Sequence, residues 1–257
     1  MRATRALVRR LTANFADGLT ESGLGPPEVA RAGRQHEAYC EALAACGLAV
    51  SEIASDARFP DGVFVEDAAV VTSKGAILAR PGAPGRRGEV ASVRAALSAA
   101  MPLAGEIDSP GTLDGGDVCE TGDRFFIGVT ARTNPAGAEQ MARLLLRLGF
   151  QATLVDLRGE PGLLHLKTGL AAIGDGRLVA VGTLAERPEL DGYEIVRVRP
   201  AEAYGANSIR VNDRILVPTT SPGLASALEG LGYEVVTLEM SEFRKMDGGL
   251  SCLSLRW

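Results

Sequence analysis

Residues 134–150 read Asn-Pro-Ala-Gly-Ala-Glu-Gln-Met-Ala-Arg-Leu-Leu-Leu-Arg-Leu-Gly-Phe, and this stretch contains the repeating unit of the chain. Asn134 and Pro135 cap and start a helix, apolar residues follow at helical spacing, and Gly149 ends it before a short apolar strand. The same order, a helix or its equivalent followed by a glycine and a strand, occurs five times, at Gly47-Leu48, Gly105-Glu106, Gly149-Phe150, Gly192-Tyr193 and Gly232-Tyr233.

The spacing of these glycines indicates the architecture. Neighbouring glycines are separated by 40 to 58 residues, and periods of this size are typical of propellers and repeat arrays. Four helices are predicted, over residues 26–47, 87–100, 134–149 and 221–232. Each unit also contains a second predicted strand with a polar beginning, at residues 63–71, 112–118, 165–173, 206–209 and 251–254. If the units are arranged radially, these polar ends converge on one axis.

A thiol and an imidazole occupy equivalent places in two of the units. Cys252 follows Gly248-Gly249 at the last polar-headed strand, and His165, one of only two histidines, begins the third. A nearby cation lowers the pKa of a thiol, and a catalytic imidazole is commonly oriented by a carboxylate, for which Asp114 is well placed in sequence. We therefore predict a triad of Cys252, His165 and Asp114. The alternative for Cys252 is a buried core thiol, as expected for Cys40 and Cys46.

Further acids point to a cationic substrate. Asp61, Glu66 and Asp67 exceed what thiol catalysis of acyl transfer needs, since that chemistry requires oxyanion donors. A guanidinium group is planar and always charged, so it pairs with several carboxylates and leaves its central carbon open to a thiolate. Arg86 or Arg87, and Arg132, could bind a substrate carboxylate. The competing interpretation of each residue by itself is a turn aspartate, a solvated edge or a surface arginine.

Composition excludes several classes of protein. The chain has 257 residues, 46% of them hydrophobic, which is enough for the core of one domain spanning 1–257. The net charge is −5 without a Lys/Arg block, so nucleic acid is not an expected partner. The N-terminal residues lack a signal-peptide core, no apolar span of membrane length occurs, and the four cysteines have no metal-type spacing. We expect a cytoplasmic protein with reduced thiols.

Together the motifs resemble the dimethylarginine dimethylaminohydrolases, a family of guanidino-group-modifying enzymes, over nearly the whole length. The resemblance rests on residues 17–20, 58–67, 85–89, 113–118, 131–134, 164–168, 206–207 and 246–252. It implies a five-bladed pseudo-symmetric α/β propeller of ββαβ-type repeats around a central active site. It also implies hydrolysis of asymmetric dimethylarginine or monomethylarginine to citrulline and an amine, without cofactor or metal.

The resemblance also assigns roles to individual residues. Cys252 would attack the guanidinium carbon to form a thiouronium adduct, His165 would protonate the leaving amine and then activate water, and Asp114 would support both His165 and the guanidinium. The substrate-binding residues implied by the motifs are Asp61, Glu66 and Asp67 around the cationic group, Arg86 and Arg132 at the carboxylate, and the carbonyls near Leu19 and Met246 at the α-amine. The Leu19 loop would act as a lid.

Two alternatives are left open. A deiminase acting on arginine or agmatine would use the same thiol chemistry, although arginine deiminases typically carry an acid two residues after the histidine, where this chain has Lys167. A non-catalytic binding protein on the same propeller would not need the site. The expected partner is a small methylated arginine, with neither nucleic acid nor membrane, and a homodimer is left open.

Overall fold

The computed structural model describes residues 2–257, which form fifteen strands and six α-helices. The strands are β1 (Arg5–Arg9), β2 (Ala49–Ile53), β3 (Ala69–Thr72), β4 (Gly75–Leu78), β5 (Leu103–Glu106), β6 (Val118–Glu120), β7 (Arg124–Val129), β8 (Gln151–Asp156), β9 (Leu170–Gly174), β10 (Arg177–Ala180), β11 (Glu194–Arg197), β12 (Ile209–Val211), β13 (Arg214–Pro218), β14 (Glu234–Leu238) and β15 (Leu255–Arg256). The helices are α1 (Val29–Ala45), α2 (Val90–Ser98), α3 (Pro135–Arg147), α4 (Leu166–Gly169), α5 (Pro222–Gly230) and α6 (Ser241–Arg244).

The strands form five three-stranded sheets with one repeated topology. In each sheet the first strand runs antiparallel to the middle strand and the third runs parallel to it, as in β3-β4-β5 and β6-β7-β8. The fifth sheet, β15-β1-β2, pairs the last strand with the first, with Leu7 opposite Leu255. This pairing joins the two ends of the described chain, and the predicted five-bladed α/β propeller is confirmed.

The parallel pair of each sheet needs a crossover, which is a helix in four of the five blades. In α3 the side chain of Asn134 accepts a hydrogen bond from Gly137 N at 2.8 Å, and Met141 and Leu145 are fully buried. Gly149 ends the helix at φ +81°, a conformation that glycine adopts without strain. At α5, by contrast, Ser221 makes no side-chain cap, because the carboxylate of Glu202 accepts from the first-turn amides instead.

The fourth crossover is the one for which no helix is predicted. It consists of two 3₁₀ turns, Leu184–Glu186 and Pro188–Leu190, rather than a helix. Leu184 and Leu190 belong to the same apolar cluster as Leu170 and Leu178 of the sheet, so two short turns bury the surface that a helix covers elsewhere.

The second crossover departs from the prediction at its start and at the glycine that follows it. Residues Pro84–Glu89 form a 3₁₀ turn, and the α-helix begins only at Val90. Residues three apart eclipse in a 3₁₀ turn, and Arg86 pairs with Glu89 there at 2.9 Å. Gly105 lies inside β5 instead of preceding it.

The polar beginnings predicted as strand residues are helical turns. They comprise residues 65–68, 115–117, 166–169, 200–206 and 251–253, and a strand follows each. The reason is clearest at Glu66 and Asp67, which are both buried. A strand with one solvated face would expose one of two neighbouring side chains. In the turn both find cationic partners, Glu66 in Lys167 and Asp67 in Arg86. Among residues 2–257, no helix is long and apolar enough to cross a membrane.

Candidate active site

The helical turns of several blades meet around a small cavity of about 30 Å³. Its walls are formed by Leu19, Asp61, Phe64, Asp67, Arg86, Arg132, Leu164, His165, Met246, Asp247, Gly248 and Cys252. Eight of the ten predicted site residues are in this wall. Asp114 lies behind His165, and Glu66 lies on the opposite side of the Cys252 turn, so the structure brings the predicted residues together but divides them into layers.

His165 and Asp114 form a buried pair. His165 Nε2 lies 2.9 Å from Asp114 Oδ2, and Asp114 Oδ1 accepts a hydrogen bond from Gly82 N at 2.8 Å. Burial alone would lower the pKa of His165, but the charges of Asp67, Asp117 and Asp114 outweigh burial and raise that pKa to about 9. The imidazole is therefore protonated at neutral pH and can donate a proton into the cavity.

Asp117 supports the histidine and was not among the predicted site residues. Its carboxylate accepts hydrogen bonds from the Thr130 and Thr133 hydroxyls at 2.8 and 2.6 Å, and from Leu166 N, the amide next to His165, at 2.8 Å. Burial raises the pKa of Asp117 to about 6. The signal in the sequence was an acid directly before the apolar strand at Val118, a position where a buried acid needs dedicated partners.

Cys252 lies on the turn Ser251–Leu253, where Gly249 N approaches its Sγ at 3.4 Å. Burial, together with the negative charges of Glu66 and Asp67, raises the pKa of the Cys252 thiol to about 12. The thiol is thus protonated in the unliganded site. A cation placed beside it would favour the thiolate.

Asp67 and Asp61 have different surroundings. Asp67 accepts hydrogen bonds from Gly116 N at 3.0 Å and Arg86 Nη1 at 2.7 Å. Burial opposes its ionisation, but the charges of His165 and Arg86 hold the pKa of Asp67 below its usual value. Both oxygens of Asp61 accept from Leu19 N at 3.1 Å, and burial raises the pKa of Asp61. Asp61 therefore connects the cavity to the loop that carries Leu19.

The two arginines of the wall are not equivalent. Arg86 is buried and donates to both oxygens of Glu89, to Asp67 and to Phe64 O. Because these bonds use most of its donors, its contacts favour a role in holding Asp67 over the predicted binding of a substrate carboxylate. Within residues 2–257, the Arg132 side chain has no hydrogen bond or ion pair, and it lines the cavity.

Glu66 is placed differently from the prediction. Its oxygens accept from Lys167 Nζ at 2.6 Å and from Ser251 Oγ at 2.7 Å, and it does not line the cavity. Leu19 and Met246 do line the cavity, and they differ in exposure: Leu19 is 50% exposed and Met246 is buried.

One group of side chains has the composition of a metal site. Ligand atoms of Asp67, Asp114 and His165 lie within 4.8 Å of one another. However, His165 and Asp114 bond each other, and Asp67 pairs with Arg86 at 2.7 Å. These potential ligand atoms are therefore already bonded to other protein groups.

The propeller and its centre define a class of protein: an α/β propeller with a cysteine, a histidine and several carboxylates suited to chemistry on a guanidino group. No protein-family model matches the chain. The chain is 42% identical over 252 residues to N(G),N(G)-dimethylarginine dimethylaminohydrolase of Pseudomonas aeruginosa, covering 98% of both sequences. The chain therefore belongs to the dimethylarginine dimethylaminohydrolase family.

Solved structures agree with this assignment. The Pseudomonas aeruginosa enzyme, as a cysteine-to-serine mutant complexed with citrulline, matches with a TM-score of 0.96 and 40% identity over 100% of both chains. A dimethylarginine dimethylaminohydrolase adduct with S-methyl-L-thiocitrulline, in a histidine-to-glycine variant, matches with a TM-score of 0.95 and 40% identity, covering 99% of this chain and 100% of that one.

Proposed function

We propose that this chain hydrolyses Nω-methylated arginines, namely asymmetric dimethylarginine and monomethylarginine, to citrulline and dimethylamine or methylamine. The observation that carries the proposal is the placement of Cys252, protonated His165 and ionised Asp67 on one cavity, with Asp114 bonded behind the histidine. The family relationship supports the same activity. Neither a metal nor an organic cofactor is required by the steps below.

The substrate cation accounts for activation of the thiol. Because the pKa of Cys252 is raised to about 12 in the free site, little thiolate is present at neutral pH. A guanidinium paired with Asp67 supplies positive charge next to Sγ and offsets the acids that oppose ionisation. The thiol proton is released to solvent as the cation binds, so that activation depends on the correct substrate.

The reaction then proceeds in two halves. The Cys252 thiolate attacks the guanidinium carbon, and the tetrahedral adduct collapses when His165 transfers its proton to the methylated nitrogen. The carbon–nitrogen bond breaks and the amine departs, leaving a thiouronium on Cys252. Neutral His165 next accepts a proton from water, whose oxygen attacks the same carbon. The carbon–sulfur bond then breaks as the hydroxyl on that carbon loses its proton to solvent, which releases citrulline and restores the thiolate.

The other residues of the cavity wall are proposed to position the substrate. Arg132, without a side-chain partner in the part of the chain that the structure describes, is proposed to bind the substrate carboxylate, with Arg86 acting through Asp67. The carbonyls near Leu19 and Met246 are proposed to bind the α-amine. Since a 30 Å³ cavity is too small for an arginine, the Leu19 loop is proposed to open and close as a lid.

We extend the proposal to the organisation of the protein. Residues 1–257 act as one catalytic domain, supported by the pairing of β15 with β1. A cytoplasmic location is supported by four free cysteines, because reduced thiols persist there. The interacting partner is the small-molecule substrate, and the oligomeric state is to be measured by light scattering, where a homodimer would give twice the mass of the chain.

A product panel tests the proposal. Purified protein is incubated with arginine, monomethylarginine, asymmetric and symmetric dimethylarginine, and agmatine, and citrulline and amine are quantified. The proposal predicts citrulline with equimolar methylamine from monomethylarginine, and citrulline with equimolar dimethylamine from asymmetric dimethylarginine. Ammonia from arginine or agmatine as the main activity would establish the deiminase alternative, and no product from any of the five would refute catalysis on guanidines.

A further inference from the structure

A buried ion pair lies beneath the turn that carries Cys252. Glu66 accepts from Lys167 Nζ at 2.6 Å through one carboxylate oxygen and from Ser251 Oγ at 2.7 Å through the other. The Glu66 and Lys167 side chains are only 5% and 17% exposed. Asn207 closes the network, because its Nδ2 donates to Lys167 O at 2.8 Å and its Oδ1 accepts from Ser251 N at 2.9 Å.

The network lies between two cavities of the molecule. Glu66, Lys167 and Ser251 line a cavity of about 740 Å³ on the other side of the ring, and none of the three lines the substrate cavity. Ser251 is adjacent to Cys252, and its Oγ lies 4.0 Å from Sγ. The ion pair is therefore close to the thiol without being placed to touch a substrate.

We propose that Lys167 is a positioning residue for the thiol: through Glu66 and Ser251 it fixes the turn that carries Cys252, and it neutralises the carboxylate below that turn. This inference rests on the proposed function for its catalytic meaning, although its physical content concerns the free protein. Lys167 acts through Glu66 and has no role in contacting the guanidinium.

The charges around Cys252 show why neutralisation matters. The charged groups around the thiol are evenly matched in number, and Arg86 is already committed to Asp67 and Glu89. The acids are Glu66, Asp67, Asp61 and Asp247, the cations are Lys167, His165, Arg86 and Arg132, and the phenol of Tyr204 is also close. Glu66 and Asp67 raise the pKa of the thiol, and Lys167 lowers it. Without Lys167, a buried and uncompensated Glu66 charge would directly oppose thiolate formation.

Alkylation of Cys252 without substrate tests the inference. Iodoacetamide reacts with the thiolate, so the second-order rate constant between pH 7 and 10 follows the thiolate fraction, and peptide mass spectrometry separates Cys252 from Cys40, Cys46 and Cys119. Lys167→Met is expected to slow alkylation by about tenfold or more across this range, equivalent to a rise of about one pKa unit. Glu66→Gln alone is expected to accelerate it.

Two further variants distinguish charge from folding. Lys167→Arg keeps the cation and is expected to react within about threefold of wild type, and Glu66→Gln/Lys167→Met removes both charges and is expected to recover most of the lost rate. Arg143→Met, in the exposed pair with Glu139, is the matched control and should be unchanged. Circular dichroism confirms folding of each variant.

The outcomes are separable. An unchanged alkylation rate in Lys167→Met, or a double variant that reacts as slowly as Lys167→Met alone, would overturn the inference. If Lys167→Met fails to fold, the comparison of Glu66→Gln with the double variant decides, since the inference requires the single variant to react faster. Because this assay contains no substrate, failure of the product panel would leave its result intact.

Discussion

Replacing Asp67 with asparagine removes one negative charge from the cavity wall while leaving Arg86 bound by both oxygens of Glu89. The variant is therefore expected to fold. The proposed guanidinium subsite, however, loses the ionised carboxylate that is proposed to pair with the substrate cation. Loss of a buried charge partner costs about 2–4 kcal/mol, which corresponds to a decrease of about 30- to 1000-fold in kcat/KM at about 1.4 kcal/mol per tenfold.

The same change has the opposite effect on the free thiol. Since the Asp67 charge raises the pKa of Cys252, its removal should speed alkylation of Cys252 in the absence of substrate. The assays are steady-state citrulline production from asymmetric dimethylarginine and iodoacetamide alkylation, with Asp156→Asn in an exposed ion pair as the matched control. An unchanged kcat/KM, or slower alkylation of Cys252 in Asp67→Asn, would contradict the proposed role of the Asp67 charge.

Three further predictions concern the residues that support the site. The pKa of His165 is raised from 6.5 to about 9, so its protonation stabilises the fold fully below pH 6.5, and this contribution, on the order of 3 kcal/mol, is lost as the pH rises through 9. Urea denaturation of wild type and His165→Gln at pH 6 and pH 9.5 should therefore show a difference in unfolding free energy that shrinks at the higher pH. A difference that stays constant would contradict this prediction. Asp117→Ala leaves two hydroxyls and the Leu166 amide without their acceptor and should lower the free energy of unfolding by about 2–4 kcal/mol, whereas a change below 1 kcal/mol would be too small for this network. Gly18→Ala would bring a Cβ against Asp61 Oδ1 and displace the Leu19 loop, so KM should rise severalfold with stability nearly unchanged. The control is Gly33→Ala, where a Cβ meets no atom within 4 Å. Equal KM values for the two variants would argue against a role of the loop in substrate binding.

The repeat and the main pair of the site were predictable from local patterns. A capped helix such as 134–149, followed by glycine and a strand, is encoded by neighbouring residues, and the convergence of His165 and Asp114 follows from radial arrangement. The pattern predicts no helix for the fourth crossover and leaves its structure open, because the turns at Leu184 and Leu190 bury equivalent apolar surface without helical spacing.

The pairing of buried charges was beyond the sequence pattern. Glu66 and Asp67 are adjacent in the chain, yet one bonds Lys167 and the other Arg86. Arg86 and Arg132 likewise carry the same charge, but only Arg86 is enclosed by Glu89 and Asp67. Such assignments depend on which side chains of separate blades come within hydrogen-bond distance, and residue spacing does not contain that information.

In the proposed reaction the Cys252 thiolate attacks the guanidinium carbon of a methylated arginine. This step is tested by citrulline production from asymmetric dimethylarginine by Cys252→Ser. The matched control is Cys119→Ser, which changes a buried thiol that does not line the substrate cavity. Loss of citrulline formation to background is expected in Cys252→Ser, with the fold retained, and substantial activity is expected in Cys119→Ser. Near-wild-type citrulline production by Cys252→Ser would contradict the proposed reaction.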